Sequence, residues 1–306
     1  MVEETMRTFF TFLAKNKPLI KAAQKGGMTL GGSQFVGGQT VDEMVDQVKE
    51  LNQKGIGVTI DCLGELIDGT EDAKETVKLC YKAIHAIKEH QLNGQISLKL
   101  FSVGLELGEE IAIHNMRNIL EEAKTGNVFV TVNMEEYKNC GKIIEIFAKL
   151  RKEYDNIGLA LQANLYRTET DIEKLDKLSP TIRFVKGAYK ESRDVDIDDK
   201  SLVDQRYKEY VKTNLLKGNY TQVATHDNDM IDFVKDLVKE RNISLDQFEF
   251  QMLQGIREEK QKELAEEGYK MVVYVPFGKD WYTYFMKRLA ERPANVGFTM
   301  MSMFRP

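Results

Sequence analysis

Residues 127–163, NVFVTVNMEEYKNCGKIIEIFAKLRKEYDNIGLALQA, contain one complete repeat of the pattern that decides the fold. A run rich in β-branched and aliphatic residues forms each end, and a segment with helical spacing of its apolar residues lies between them. The runs are residues 127–133 and 157–163, and the helical positions are Ile143, Ile146, Phe147 and Leu150. A strand, a helix and a second strand in this order are typical of a parallel βαβ unit.

The same alternation repeats along most of the chain. Eight β-rich runs begin 23 to 40 residues apart, which leaves room for a strand, a loop and one helix in each interval. The runs are residues 56–62, 95–101, 127–133, 157–163, 181–186, 221–226, 248–253 and 271–276. We expect a single α/β domain that forms a (β/α)8 TIM-type barrel over residues 51–306, with residues 1–50 as an N-terminal helical arm. An open, doubly wound sheet is the alternative, although no GxGxxG motif follows the first run.

Composition and charge narrow the classes of function. The 306 residues carry 43 Lys and Arg against 48 Asp and Glu, a net charge of −5 with no run of five basic residues, which argues against nucleic-acid binding. No stretch approaches the ~18 apolar residues of a membrane span, and the first residues lack the pattern of a signal peptide. The cysteines are odd in number, and neither they nor the histidines show metal-ligand spacing. We therefore expect a soluble, cytoplasmic protein without a metal site.

Polar residues gather at the predicted strand ends, where a barrel of this kind places its chemistry. Lys99 lies between two leucines of the second run and either contacts a ligand or lies at the rim of the core. Gln162 ends the fourth run and either binds a ligand or caps a loop. The fifth run continues into residues 186–188, Lys-Gly-Ala, where small residues beside a cation let backbone N–H groups approach a phosphate. A plain strand-ending turn is the alternative at this position.

The last helical segment, residues 281–292, has aromatic residues at its start and adjacent cations at Lys287 and Arg288. The helix either packs in the core with a solvated basic end or caps the barrel mouth and presents both cations to a carboxylate. The pattern alone leaves both interpretations open.

Several blocks of the sequence resemble a known family. RFVKGAYKES, ATHD, FEFQMLQGIR and YVPFGKDWYTYFMKRLAERPAN occur in order, one per predicted strand end, and are similar to blocks of the monofunctional bacterial proline dehydrogenases. The similarity extends from about Phe35 to about Phe298. Members of that family are flavoenzymes on a distorted (β/α)8 barrel.

This resemblance implies FAD as cofactor and the oxidation of L-proline to Δ1-pyrroline-5-carboxylate, an oxidation at a CH–NH group, with electrons passed to a membrane quinone. It places Asn133 and Arg183 at catalytic positions, with Arg183 near the flavin N5 edge. The cofactor-binding positions are Met134, Gln162, Lys186, Gly187, Ala188, Thr225, His226 and Glu291. The substrate-binding positions are Lys99, Lys287 and Arg288 for the carboxylate, and Tyr189, Leu253 and Tyr274 for the ring.

The chain departs from the family pattern at five places. Asn133 replaces Asp, Asn164 replaces Tyr, Gln254 replaces an aromatic residue, Lys287 replaces Arg, and the second run differs after Lys99. We expect all five to line the substrate site, where the loss of two aromatic residues would enlarge and polarise the pocket. Proline oxidation is the first interpretation, and a modified or larger cyclic amino acid or amine as substrate is the second. A non-catalytic flavin-binding protein is a third.

An apolar stripe in the first residues has two interpretations. Met6, Phe9, Phe10 and Leu13 recur at helical spacing and either pack on the rest of the domain or contact a membrane surface peripherally. The sequence leaves the oligomeric state open.

Overall fold

The computed structural model describes residues 2–26, 34–64, 67–189 and 191–291. Eight parallel strands close into a barrel in the order of the sequence. They are β1 Gly57–Cys62, β2 Gly94–Lys99, β3 Val130–Asn133, β4 Ile157–Gln162, β5 Thr181–Val185, β6 Thr221–Ala224, β7 Phe248–Leu253 and β8 Met271–Phe277. Strand β1 pairs with both β2 and β8, so the predicted barrel is confirmed and the open sheet is wrong.

Helices alternate with the strands, and two further helices precede them. The helices are α1 Val2–Lys15, α2 Lys17–Gly26, α3 Val41–Gln53, α4 Thr70–Glu89, α5 Glu109–Thr125, α6 Tyr137–Arg151, α7 Thr168–Leu175, α8 Lys200–Leu216, α9 Asn228–Arg241, α10 Glu258–Glu266 and α11 Trp281–Glu291. Helix α3 contacts β1 and α4, so the boundary expected at residue 51 lies inside a helix of the barrel wall. A capping box of Thr40 and Glu43 fixes its start.

Three strands differ most from their predicted bounds. Strand β2 ends at Lys99 because the backbone N–H of Phe101 donates to the Glu135 carboxylate at 3.0 Å, and residues 101–103 turn into a short 3₁₀ helix. Strand β3 begins at Val130 rather than at Asn127, whose positive φ of 54° closes the preceding helix. Strand β6 ends at Ala224, so Thr225 and His226 lie in the loop that follows it.

The barrel interior is filled largely by polar side chains, although most barrels of this class pack branched apolar residues there. Near its amino-terminal end the buried Glu249 carboxylate accepts hydrogen bonds from four neutral side chains. The donors are Gln95 at 3.0 Å, Gln222 at 3.1 Å, Gln251 at 2.6 Å and the Tyr220 hydroxyl at 2.8 Å. The apolar core lies instead between strands and helices, where residues such as Ile60, Leu98 and Phe184 are fully buried.

The first helix packs on the last one. Phe10 joins a buried cluster with Phe285 and Leu289 of α11, and Phe35 stacks on Phe285 with ring centroids 5.8 Å apart. Met6 and Leu13 pack against the same cluster, which confirms the packing interpretation for these positions. Phe9 does not follow the stripe, because its side chain points away from the cluster and is 55% exposed.

We expect Phe10→Ala to lower the free energy of unfolding by about 3 kcal/mol, because it removes a buried aromatic ring from the contact between α1 and α11. The matched control is Phe12→Ala on the same helix, where the ring is 62% exposed and the expected loss is about 0.5 kcal/mol or less. Urea unfolding of both variants measures the difference. Equal losses would contradict the packing of the arm on α11.

Candidate active site

A cavity of about 580 Å³ opens at the carboxyl ends of the strands. Strands β2 to β8 each contribute lining residues, Phe35 contributes from the segment before α3, and α11 covers the mouth with Tyr284, Phe285, Arg288 and Leu289. The predicted capping role of the last helix is therefore confirmed. A cavity in this position is where (β/α)8 enzymes place their active sites.

The described lining of the cavity is electropositive. Four cationic side chains, Lys99, Arg183, Lys186 and Arg288, contribute to it, and Asp227 is the one carboxylate among the described lining residues. A concave, partly apolar surface with this excess of cations favours anionic ligands such as carboxylates and phosphates.

Arg183 lies at the floor of the cavity and is only 3% exposed. Its Nη1 donates to Asn133 Oδ1 at 2.8 Å and to Ser97 Oγ at 2.9 Å, and Nη2 donates to Thr59 Oγ1 at 3.4 Å. Its guanidinium lies 5.5 Å from the centroid of the Tyr274 ring. Burial lowers the pKa of Arg183, and nearby Tyr274, Glu249 and Asp61 partly offset that effect. The buried Nε atom has no partner among the described residues, so this group retains a donor for a ligand.

The Asn133 amide connects Arg183 to two further groups. Its Nδ2 donates to Asp61 Oδ1 at 3.2 Å and to the Tyr274 hydroxyl oxygen at 3.0 Å. Burial and the neighbouring Asp61 carboxylate raise the pKa of Tyr274 well above its ordinary value. The phenol is therefore neutral near pH 7.

Lys186 lies at the cavity rim between two carboxylates. Its Nζ is 2.5 Å from Asp204 Oδ1 and 2.7 Å from Asp227 Oδ2, and Asp227 also caps the start of α9 by accepting the backbone N–H of Asp229 at 3.0 Å. Burial lowers the pKa of Lys186, but the hydrogen bonds to both carboxylates outweigh it and the pKa is raised. Lys186 is a fixed cation in this loop.

The residue after Lys186 must be glycine. Gly187 has a φ of +114°, and a Cβ built on it would overlap Oδ1 of the buried Asn164 side chain. Asn164 in turn donates to Asp196 Oδ1 at 2.8 Å. At Gly187 the backbone therefore lies on the cavity lining without a side chain.

The loops after β6 and β7 hold His226 in place. Its Nε2 accepts the backbone N–H of Leu253 at 2.9 Å, which places the ring proton on Nδ1 when the ring is neutral. Arg257, which adopts a left-handed φ of +57°, donates to the His226 carbonyl and to Asn228 Oδ1. Sequence reasoning gave Arg257 no role, although it is the last residue of the block FEFQMLQGIR.

The structure brings together fourteen of the sixteen predicted site residues on the cavity lining. They are Lys99, Asn133, Met134, Gln162, Arg183, Lys186, Gly187, Ala188, Tyr189, Thr225, His226, Leu253, Tyr274 and Arg288. Lys287 is on α11 but not on the lining, because the adjacent Arg288 occupies the helix face that meets the cavity. The side chain of Glu291, at the end of α11, lies outside the described residues.

The expectation that all five departures from the family pattern line the pocket is wrong. Asn133 and Gln254 line the cavity, whereas Asn164 lies behind Gly187, Lys287 lies off the lining, and the altered residues after Lys99 form the 3₁₀ turn. Sequence reasoning also missed Asp61 and Tyr284. The available signals were a charged residue inside the buried first strand and an aromatic residue four positions before Arg288.

The comparisons with known proteins agree with this site. Residues 44–301 match the family model described as proline dehydrogenase. The chain belongs to the proline dehydrogenase family. It is 49% identical over 300 residues to proline dehydrogenase 1 of Bacillus subtilis (strain 168), covering 98% of this chain and 99% of that protein. It is 38% identical over 310 residues to the proline dehydrogenase of Deinococcus radiodurans, and both chains are covered completely.

A solved structure supports the fold of this proline dehydrogenase family member independently. Proline utilization A (PutA) from Bdellovibrio bacteriovorus, inactivated by N-propargylglycine, superposes with a TM-score of 0.80 at 22% sequence identity. The superposition covers 90% of this chain and 34% of the PutA chain. The shared (β/α)8 barrel is thereby shown.

We expect Gly187→Ala to destabilise the protein by about 3 kcal/mol, because it combines a positive φ with the overlap at Asn164. Gly218→Ala is the matched control, since Gly218 has a φ of +80° but a Cβ added to it would meet nothing within 4 Å. Its expected cost is about 1 kcal/mol. In an Asn164→Gly background the cost of Gly187→Ala should fall toward that of the control, as measured by urea unfolding. An unchanged cost there would show that Asn164 is not the obstacle.

Proposed function

We propose that this chain is an FAD-dependent proline dehydrogenase that oxidises L-proline to Δ1-pyrroline-5-carboxylate and passes the electrons to a quinone. The observation that carries the proposal is the electropositive cavity at the carboxyl ends of the strands, in a chain that belongs to the proline dehydrogenase family. The cavity offers separate cations for two anionic groups: Lys99 and Arg288 toward one, and Lys186 with the backbone of residues 187–188 toward the other.

The residues of the cavity fit a flavin dinucleotide. Arg183 retains an unused buried N–H at the floor, and Gly187 contributes backbone without a side chain to the lining. A fixed cation beside accessible backbone N–H groups suits a pyrophosphate, which would compete with Asp204 and Asp227 for Lys186. Met134, Gln162, Ala188, Thr225 and His226 complete the lining assigned to the cofactor, and Glu291 remains a prediction. The flavin would accept a hydride from the ring carbon beside the substrate nitrogen.

The remaining lining suits a small cyclic amino acid. Lys99 and Arg288 provide positive charge for the carboxylate, and the Arg288 guanidinium lies 5.3 Å from the Tyr284 ring centroid, which orients it. Tyr189, Leu253 and Tyr274 provide apolar surface for the ring. The chain's own contribution is to bind the carboxylate, exclude water with α11, and hold the reacting carbon against the cofactor.

A modified or larger cyclic amine is the second candidate substrate. Asn133 and Gln254 are the departures from the family pattern that line the cavity, and both place an amide where the resemblance implies an acid or an aromatic ring. Anaerobic mixing of the purified protein with L-proline and with a panel of cyclic secondary amines tests both candidates. Bleaching of the flavin absorption by L-proline supports proline as substrate, bleaching only by another amine supports the second candidate, and bleaching by none contradicts both and leaves a non-catalytic flavoprotein.

We expect Lys99→Met to raise KM for L-proline by about tenfold to a hundredfold with a smaller change in kcat, because it removes a charged hydrogen-bond donor for the carboxylate. The matched control is Lys142→Met on α6, where the side chain is 58% exposed and pairs with Glu109. Steady-state kinetics with a soluble electron acceptor measure both variants. An unchanged KM in Lys99→Met would remove Lys99 from the substrate site.

The quinone acceptor requires access to a membrane, and the arm supplies a surface for peripheral contact. Among the described residues no helix is long and apolar enough to cross a bilayer. Phe9 and Phe12, one turn apart on α1, are 55% and 62% exposed. The first 26 residues carry five cations, Arg7, Lys15, Lys17, Lys21 and Lys25, against Glu3 and Glu4, whereas the whole chain has a net charge of −5. Exposed aromatics beside basic residues favour the surface of an anionic bilayer.

We expect Phe9→Ser with Phe12→Ser to reduce binding to vesicles that contain anionic lipid by about tenfold, with no change in activity toward a soluble acceptor. Leu216→Ser, at a leucine that is 51% exposed on α8, is the control for loss of exposed apolar surface. Vesicle sedimentation gives the bound fraction. Equal binding of the double variant and the control would exclude α1 as the membrane contact.

A further inference from the structure

The cavity floor contains a buried network of five polar side chains in which Asn133 is central. The amide oxygen of Asn133 accepts from Arg183 and Ser97, and its Nδ2 group donates to Asp61 and Tyr274. Because a guanidinium can only donate and an ionised carboxylate can only accept, the orientation of the amide is fixed by its two charged neighbours.

Asp61 therefore stands at one end of the network and Arg183 at the other. Asp61 is on β1, is only 2% exposed, and reaches the cavity through Asn133 and Tyr274, which line it. It is the carboxylate to which the Asn133 amide donates. Glu249, the second carboxylate inside the barrel, is held by Gln95, Gln222, Gln251 and Tyr220 nearer the amino-terminal end.

We propose that Asp61 is a positioning residue for the substrate: its negative charge balances Arg183 at the cavity floor and sets how strongly the cavity holds a carboxylate. This inference rests on the proposed function, because it assigns the anion held by the cavity to a substrate carboxylate. Asp61 does not touch the substrate in this scheme. It acts by orienting Asn133 and by reducing the positive potential that Arg183, Lys99 and Arg288 create together.

A carboxylate at position 133 would face the carboxylate of Asp61 directly. Two carboxylates at the 3.2 Å separation of Asp61 Oδ1 and Asn133 Nδ2 would repel each other and add negative charge beside Arg183. The charges of the two positions are therefore linked, and exchanging them keeps one carboxylate beside one amide. If these two residues had only a structural role, the exchange would not restore the binding of a carboxylate.

The experiment compares wild-type holoenzyme with Asp61→Asn, Asn133→Asp and the exchange variant that carries both substitutions. The probe is cyclopentanecarboxylate, a cyclic carboxylate without the nitrogen, because the opposite charges of L-proline would partly cancel the effect. Binding is measured by calorimetry, and thermal unfolding confirms that each variant is folded. Asp246→Asn is the charge-matched control, since Asp246 is 88% exposed and precedes β7 at the opposite end of the barrel.

We expect Asp61→Asn to bind the probe about tenfold more tightly than wild type, which corresponds to about 1.4 kcal/mol. Asn133→Asp should bind it more weakly, and the exchange variant should return to within about threefold of wild type. Damage to the fold would weaken binding instead of strengthening it. Unchanged or weaker binding by Asp61→Asn, no recovery in the exchange variant, or no measurable binding of the probe by any of these proteins would overturn the proposal.

The binding experiment on Asp61 and the bleaching experiment with L-proline can fail independently of each other. Failure of L-proline to bleach the wild-type flavin contradicts the proposed function, whereas the probe needs no oxidation and reports the charge of the cavity directly. A protein that oxidises L-proline but binds the probe equally in all variants retains the proposed function and excludes Asp61 as the source of the charge.

Discussion

The buried cation of Arg183 is the constraint on which the rest of the barrel interior depends. Moving a guanidinium out of water without hydrogen-bond partners is costly, so the residues around it must be polar. Thr59, Ser97, Asn133 and the Tyr274 ring meet this requirement from four different strands. The carboxylates of Asp61 and Glu249 supply opposite charge nearby. The cavity at the carboxyl end of the barrel lies against this network, since Asn133, Arg183 and Tyr274 line it.

This polar interior is possible because the apolar core lies elsewhere. The faces of the strands that point outward pack against the helices, and that layer holds nearly all of the large buried apolar side chains, including Phe147, Phe184 and Phe250. Burial of this surface is the main source of stability. The inward-facing side chains of each strand therefore need not form the apolar core. Because successive side chains point to opposite faces, one strand can carry polar residues inside the barrel and apolar residues outside it.

The order and number of the strands could be predicted from the hydrophobic periodicity of the sequence, because this periodicity depends only on residues a few positions apart. The site was predictable to the extent that it lies at strand ends, as Lys99, Gln162 and Lys186 do. Contacts between strands were not predictable from local pattern, and Asp61 became visible only when β1, β2 and β3 lay side by side and brought it to Asn133. The direction of α11 decided in the same way that Arg288 and not Lys287 meets the cavity.

The arm connects the proposed membrane contact to the cavity. Helix α1 presents Phe9 and Phe12 outward while Phe10, between them in sequence, packs on Phe285 and Leu289. Those two residues of α11 also line the cavity, so one pair of helices separates the exposed aromatic surface from the site. A bilayer that orders α1 would order α11 through this cluster, and α11 carries the Arg288 cation. In the proposed function, attachment to the membrane that holds the quinone and the covering of the cavity by α11 would then share the same buried contact.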